Sequence, residues 1–285
     1  MSKQYYQAAK SFLGHLQGTS KALQTIESYQ GDLRSFELFM KESFSGKTDW
    51  LKKIDDQLFK NYSDYLEHKK VKSNTQRRKL LTLQKFLRYL AARKKVSQSL
   101  AKKFPAPLKV EKTPLVVDLA ALLEQIKALP VESHLDSRNR LLMWVLAETG
   151  CQVSEVTHIR FQDIVQNQIS ISGKAERTLT ISTELMLAVF DHQQFSQGNE
   201  YLFRGFSRLG ALPEPLSDRG VELLVKHYAG MFKCPKLTPR LFRRSIVMQW
   251  FQQGVSEAEI QKRLGLKSAY AFKVYAPLFA KSAQG

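Results

Sequence analysis

Only two cysteines, Cys151 and Cys234, occur in the 285 residues. They can build neither a disulfide framework nor a metal quartet, and such sparing use suits a reducing, cytoplasmic setting. Long apolar runs are missing too. The longest, Leu141–Ala147, is far too short to cross a bilayer as a helix. The opening segment MSKQYYQAAK has no apolar stretch and does not read as a secretory signal. No GxGxxG, Walker loop, HExxH or GxSxG is present, so nucleotide hydrolysis, zinc proteolysis and serine-hydrolase chemistry lack their usual parts. There is no internal repeat and no low-complexity segment. One further absence is local: no acidic residue lies between His68 and Val110, where lysine and arginine are densest.

What is present is base and core. Lys and Arg number 44 against 26 Asp and Glu, a formal net charge of +18, while hydrophobic residues make up 43%. That apolar fraction excludes a disordered basic tail, and the length favours two domains over one. The charge is uneven. Residues 1–105 hold 22 basic against 9 acidic residues, a net of +13, and the remainder holds 22 against 17, a net of +5. An ordinary solvated helix face mixes both signs for i,i+4 support. A stretch of one sign accepts self-repulsion that a phosphate backbone would relieve, so a nucleic acid is the expected partner. A membrane is not expected, because the helices here use their apolar faces for a core.

Periodicity predicts helices through the first half. One runs from an N-cap at Thr19 or Ser20, with Leu23, Ile26, Leu33, Phe36 and Met40 inward, and ends near Lys41. Another covers roughly Asp55 to His68. A third begins near Ser73 and turns Leu80, Leu83, Phe86, Leu87 and Leu90 inward, leaving Arg77, Arg78, Lys79, Lys85 and Arg88 for a basic face. The segment KKFPAPLKVEKTP, 102–114, carries three prolines and alternating lysines and reads as extended. The expected division is a helical domain over 1–103, a linker over 104–116 and a second domain over 117–285. That second domain reads as mixed: helices near 119–129, 138–148, 218–231, 239–253, 256–264 and 270–279, and a short hairpin of 168–172 with 177–182 around Gly173 and Lys174. The fold class is mainly α with a small β-hairpin or sheet.

Two constellations could carry chemistry. Arg240, Arg243 and Arg244 lie three and four apart on one predicted helix and could converge on a phosphate, or be solvated. Tyr270 and Tyr275 follow the helix-ending Gly265; a tyrosine so placed is more often a packing residue than a nucleophile.

Taken in order, the motifs resemble the tyrosine recombinases, the phage-integrase type and especially the bacterial Xer-type proteins, over nearly the whole length. Thr25, Tyr29, Asp32, Leu33 and Phe36 match T-x3-Y-x2-D-L-x2-F, and TQRRKLLTLQKFLRYLAARKKV resembles the DNA-contacting helix. Thr149–Val156 resembles T-G-x-R-x-S-E-L, with Asp163-Ile164 at the D-I and Gly173-Lys174 at the G-K of the hairpin. Thr238–Ser245 resembles T-P-H-x-L-R-H-S, Leu264-Gly265-Leu266 resembles L-G-H, and Tyr275 has the nucleophile's spacing from it. The resemblance implies a SAM-like core-binding domain and a catalytic-type domain. It also implies attack by a tyrosine oxygen on a DNA phosphodiester to give a 3′-phosphotyrosyl link, without ATP, metal or other cofactor. Tyr275 would be the nucleophile, Lys174 the acid, and Arg243 a phosphate clamp. Arg77, Arg78, Lys79, Lys85, Arg88 and Arg244 would contact DNA. The family's partners are double-stranded DNA and further protomers, two per site and four per synapse.

The departures are Gln152 at the first catalytic arginine, Arg240 at the histidine opening H-x-x-R, and Leu266 at the later histidine. Gln152 supplies no charge, Arg240 lacks near-neutral proton exchange, and Leu266 neither donates nor accepts. Three readings follow: a DNA-binding protein with weak or lost strand exchange, a working recombinase with an altered site, and an RNA-binding or protein-interaction module. The first is favoured and the third is least favoured. Leu278 and Phe279 are a candidate docking pair, either toward another subunit or back onto their own domain.

Overall fold

The computed structural model describes residues 3–19, 22–44, 55–97, 115–173, 175–196, 200–208, 210–268 and 272–282. The chain divides into two compact units, 1–112 and 113–285. Apart from Leu115 and Val116, the predicted linker over 104–116 lies outside the described residues, as do Lys174 and Tyr270.

The first unit packs α1 (Lys3–Gln17), α2 (Leu23–Ser43), α3 (Asp56–His68) and α4 (Ser73–Ala92) around one aromatic-rich core. Phe36, Tyr62 and Phe86 are its largest fully buried side chains. The first helix is an addition to the sequence reading, and it revises the first N-cap. Thr19 donates its hydroxyl to the Leu16 carbonyl and so closes α1, whereas the N-cap of α2 is Ala22, which makes no side-chain hydrogen bond; Ser20 lies outside the described residues. Asp55 caps α3 by accepting from the Leu58 N–H at 2.7 Å.

A polar seam joins α2 to α4. The Asp32 carboxylate is buried, and one oxygen accepts from Arg78 Nη1 at 2.6 Å and Thr82 Oγ1 at 2.9 Å. Lys79 Nζ stands 3.5 Å from the other oxygen. Next to it, Lys85 Nζ donates to the Tyr29 hydroxyl at 2.6 Å. Tyr29 and Asp32 of the N-terminal motif therefore hold the basic helix in place.

The second unit is built on α6 (His134–Thr149), whose residues Leu141–Ala147 are all buried. Around it lie α5 (Leu119–Lys127), α7 (Val153–Val156), α8 (Thr183–Phe195), α9 (Asp218–Met231), α10 (Pro239–Gln252), α11 (Glu257–Arg263) and α12 (Ala276–Ser282). The expected hairpin is present as β2 (Gln168–Ile171) with β3 (Arg177–Thr180), antiparallel, Ile171 opposite Arg177. The structure adds β1 (Ile164–Val165) to that sheet and a second pair, β4 (Arg204–Ser207) with β5 (Gly210–Pro215). The mainly helical class with small antiparallel sheets is as expected. Ser133, Ser182, Ser217, Thr238 and Ser256 each cap the helix that follows through a side-chain oxygen. At the other end of α6, Gly150 adopts φ 60°, and a Cβ there would lie 2.7 Å from Ile246 Cγ2. The docking pair folds back: Leu278 is buried, and Phe279 stacks on Phe251 with ring centres 4.2 Å apart.

Candidate active site

Thr238 and Pro239 fix the start of α10, the threonine hydroxyl accepting from the Leu241 N–H at 3.1 Å. From there Phe242, Ile246 and Val247 enter the core, and Arg243 enters with them, only 7% exposed. Its guanidinium is satisfied by three separate segments. Nη1 donates to the Gly150 carbonyl at 2.6 Å, Nη2 to the Leu264 carbonyl at 2.8 Å, and Nε to the Tyr275 hydroxyl at 3.1 Å. Arg240 is exposed and Arg244 half-buried. The three arginines thus differ in environment rather than sharing one solvated side, yet all three line a single cleft of about 500 Å³ with Gln152, Leu266 and Tyr275.

Beneath Arg243 sits Glu155. Its oxygens accept from Arg177 Nη1 at 2.7 Å and Nη2 at 2.9 Å, and from the Gln152 N–H at 2.7 Å. Arg243 Nη1 lies 4.0 Å from the same carboxylate. Burial pushes the Glu155 pKa up, but the hydrogen bonds from Arg177 and Gln152 and the two nearby positive charges outweigh it, holding the carboxyl below its ordinary range. Burial acts against the charge on Arg177, but the pairing with Glu155 raises its pKa. Arg177 also donates to the Arg263 carbonyl at 2.6 Å and the Ala175 carbonyl at 2.9 Å. The C-terminal end of α11 therefore holds one arginine through residue 263 and the other through residue 264. Gly265, at φ 66°, lets the hairpin approach: a Cβ there would meet the Ala175 Cβ and Arg177 Nη1, each at 2.7 Å.

Tyr275 is 7% exposed and packs against Phe272, with its oxygen turned to Arg243. Gln152 is exposed at the start of α7. Leu266 is half-buried against the core. Cys151 also lines the cleft, but burial lifts its thiol pKa to about 11, so it is protonated and no nucleophile. Of the predicted set the structure brings together Gln152, Arg240, Arg243, Arg244, Leu266 and Tyr275; Lys174 lies outside the described residues. Sequence reading missed Arg177, because its role depends on a partner 22 residues away and no local spacing announces it. Asp218, the carboxylate of the cleft, was missed for the same reason.

The N-terminal candidates divide. Arg78 and Lys79 face Asp32 and Lys85 is tied to Tyr29, while Arg88 is exposed. Among the described residues no cluster of His, Cys, Asp and Glu could hold a metal ion, and no helix is long and apolar enough to cross a membrane.

Residues 118–281 match the model of the phage integrase family, and residues 9–94 match the phage integrase N-terminal SAM-like domain. The chain belongs to the phage integrase family. Among its integrase relatives is the tyrosine recombinase XerC of Syntrophus aciditrophicus (strain SB), 24% identical over 269 residues, which cover 88% of this chain and 86% of the relative. The same integrase fold appears in the Tn1549 transposon integrase in complex with transposon right end DNA, with a TM-score of 0.72 at 13% identity, covering 94% of this chain and 92% of that one. A lambda integrase (75–356) dimer bound to a COC′ core site gives a TM-score of 0.69 at 17% identity, covering 95% and 94%.

Proposed function

We propose that this integrase-family chain binds double-stranded DNA and that its strand-exchange activity is weak or lost. The observation that carries this reading is the cleft itself. Arg243 and Tyr275 meet there, but Gln152 and Leu266 bring no charge and no group that titrates near neutrality to it. Loss of one oxyanion-type donor alone costs on the order of 10²–10³ in rate. Support for DNA as partner comes from the basic first unit and from the DNA-bound integrases of the same fold. The proposed contacts are Arg77, Arg78, Lys79, Lys85, Arg88 and Arg244, with Tyr275, Arg243, Lys174 and Arg240 at the scissile phosphate. The chain acts as a dimer per site and a tetramer per synapse, alone or with a related recombinase, in the cytoplasm, and on the nucleoid if its source is bacterial.

A second reading, an active recombinase with an altered site, is favoured by one contact: Arg243 already holds the Tyr275 oxygen. The test selects duplexes by binding from a random-sequence pool, nicks them, and looks for a covalent adduct. The expected result is none, with an adduct emerging when Gln152→Arg, Arg240→His and Leu266→His are combined. An adduct in the unaltered chain that vanishes in Tyr275→Phe overturns the first reading and establishes the second. Tighter binding to RNA hairpins than to duplex DNA would defeat both.

A further inference from the structure

Six histidines occur in the chain, and four of them, His15, His68, His158 and His227, are exposed. The other two meet. His134 opens α6 and His192 lies near the end of α8, with ring centres 5.0 Å apart. His192 is buried. Its Nε2 lies 3.1 Å from the Leu202 carbonyl and its Nδ1 2.9 Å from the Ser137 hydroxyl. A carbonyl only accepts, so Nε2 carries a proton and Nδ1 is left to accept from Ser137 in a neutral ring. His134 Nε2 is 3.0 Å from Ser196 Oγ, while its buried Nδ1 has no hydrogen-bond partner among the described residues. A proton added there would meet no acceptor.

The charges that act on the pair are positive. Arg138, on α6 itself, is 7% exposed, and its guanidinium bonds neutral oxygens, the Arg204 carbonyl and Asn139 Oδ1, each at 2.8 Å. Arg204 adds a second guanidinium from β4. From α9 comes only the Tyr228 hydroxyl, reached through Asn139. Phe206 and Phe161 cover the two rings with carbon, and Asp136 is turned to its cap, Ser133. His134 also stands in the first turn of α6, where the helix dipole disfavours a cation. Burial first, then Arg138 and Arg204, lower the pKa of His134. Burial, then the charges of His134 and Arg138, take His192 down to about 4 against the pull of the Leu202 carbonyl.

We propose that His134 and His192 form an acid-released latch, which holds the segment 200–206 to the start of α6 and the end of α8 and frees it when the rings take up protons. This latch does not depend on DNA as the partner. Closed, it keeps both rings neutral and binds fewer protons than the opened state, whose histidines titrate near about 6.5. Its contribution is therefore complete above that value and is lost as pH falls toward the closed-state value of about 4. For His192 alone, the opening equilibrium should rise at least about tenfold from pH 7 to pH 5, and His134 adds to it. The freed segment includes Leu202, whose N–H donates to the Ile159 carbonyl at 2.9 Å. It also includes Tyr201, which lines a polar cavity of about 760 Å³ with Arg160 and Gln152.

The test is hydrogen exchange of the full chain, followed peptide by peptide and corrected for the intrinsic effect of pH, at pH 7 and pH 5. Opening in 200–206 and 134–139 should rise at least about tenfold, ahead of α10 and of the first unit. His134→Gln combined with His192→Gln keeps amide donors and acceptors but cannot titrate, and should abolish the selective rise. An equal rise across the second unit, no rise, or a rise kept in full by the folded double variant each overturns the latch. Should that variant fail to fold, the ring nitrogen shifts of the parent chain decide. A His192 ring still neutral at pH 6, with its proton on Nε2, upholds the latch, and a ring protonated at pH 6 in the folded chain overturns it.

Discussion

The Glu155 carboxylate receives both terminal nitrogens of Arg177 and the Gln152 amide, with the guanidinium of Arg243 behind it. Removing it leaves a buried guanidinium without its counter-ion, a loss of about 3–5 kcal/mol where a buried pair is broken. Glu155→Ala is therefore expected to lower the urea midpoint sharply, and Arg177→Met with Glu155→Leu should recover much of the loss. The pH dependence has a defined sign. Because the folded carboxyl titrates below its ordinary value, its contribution is complete above the unfolded pKa of about 4.3. It fades as pH falls through the lower folded value. Urea titrations of the parent and of Glu155→Gln should converge on acidification below that window and separate near neutrality. By contrast, Arg240→Ala at an exposed, unpartnered position should change stability by less than about 0.5 kcal/mol.

At the scale of elements, the junction of α6 with α7 turns on Gly150. A left-handed residue that faces Ile246 at 2.7 Å permits no side chain without a shift. Gly150→Ala should cost more than about 1 kcal/mol, and thermal unfolding of the variant checks it. Several elements were legible because local chemistry marks where they begin, as with Ser217 before α9 and Pro239 at the start of α10. Others were not. The strand β5 reads GALPEP, and its two prolines argue against a strand until β4 is seen to pair with it. On α8 the buried Leu185, Ala188 and Val189 alternate with exposed Leu187 and Phe190, so no single apolar stripe stands out. The 15-residue α1 is a different case: Tyr5, Ala8, Ala9, Phe12, Leu13 and Leu16 recur at helical spacing and face the core, so its signal was present and went unread. In the candidate site, the positions that carry a motif were readable, whereas Arg177 and Asp218 become visible only when segments far apart in sequence meet.

For the whole molecule, the +18 charge resolves into cations that are engaged and cations that are available. Arg78 and Lys79 neutralise the buried Asp32, so Arg78→Ala is expected to weaken the first unit as well as DNA affinity. Arg88→Ala should leave stability unchanged and flatten the plot of log affinity against log salt by about 0.9, one phosphate's worth. Filter binding across a salt series, with urea unfolding alongside, separates the two. Arg243 adds a different consequence. Its donors hold the α6 end, the α11 end and the Tyr275 turn in one piece, so a chain without any strand exchange would still need it to fold. A mutational scan read by cellular abundance should therefore reject substitutions at Arg243, Glu155 and Arg177 as strictly as in a core, while accepting most residues at Gln152 and Arg240. An arginine at position 243 thus answers to the fold whatever the chemistry, whereas the residues that merely face the cleft are free to answer to the chemistry alone.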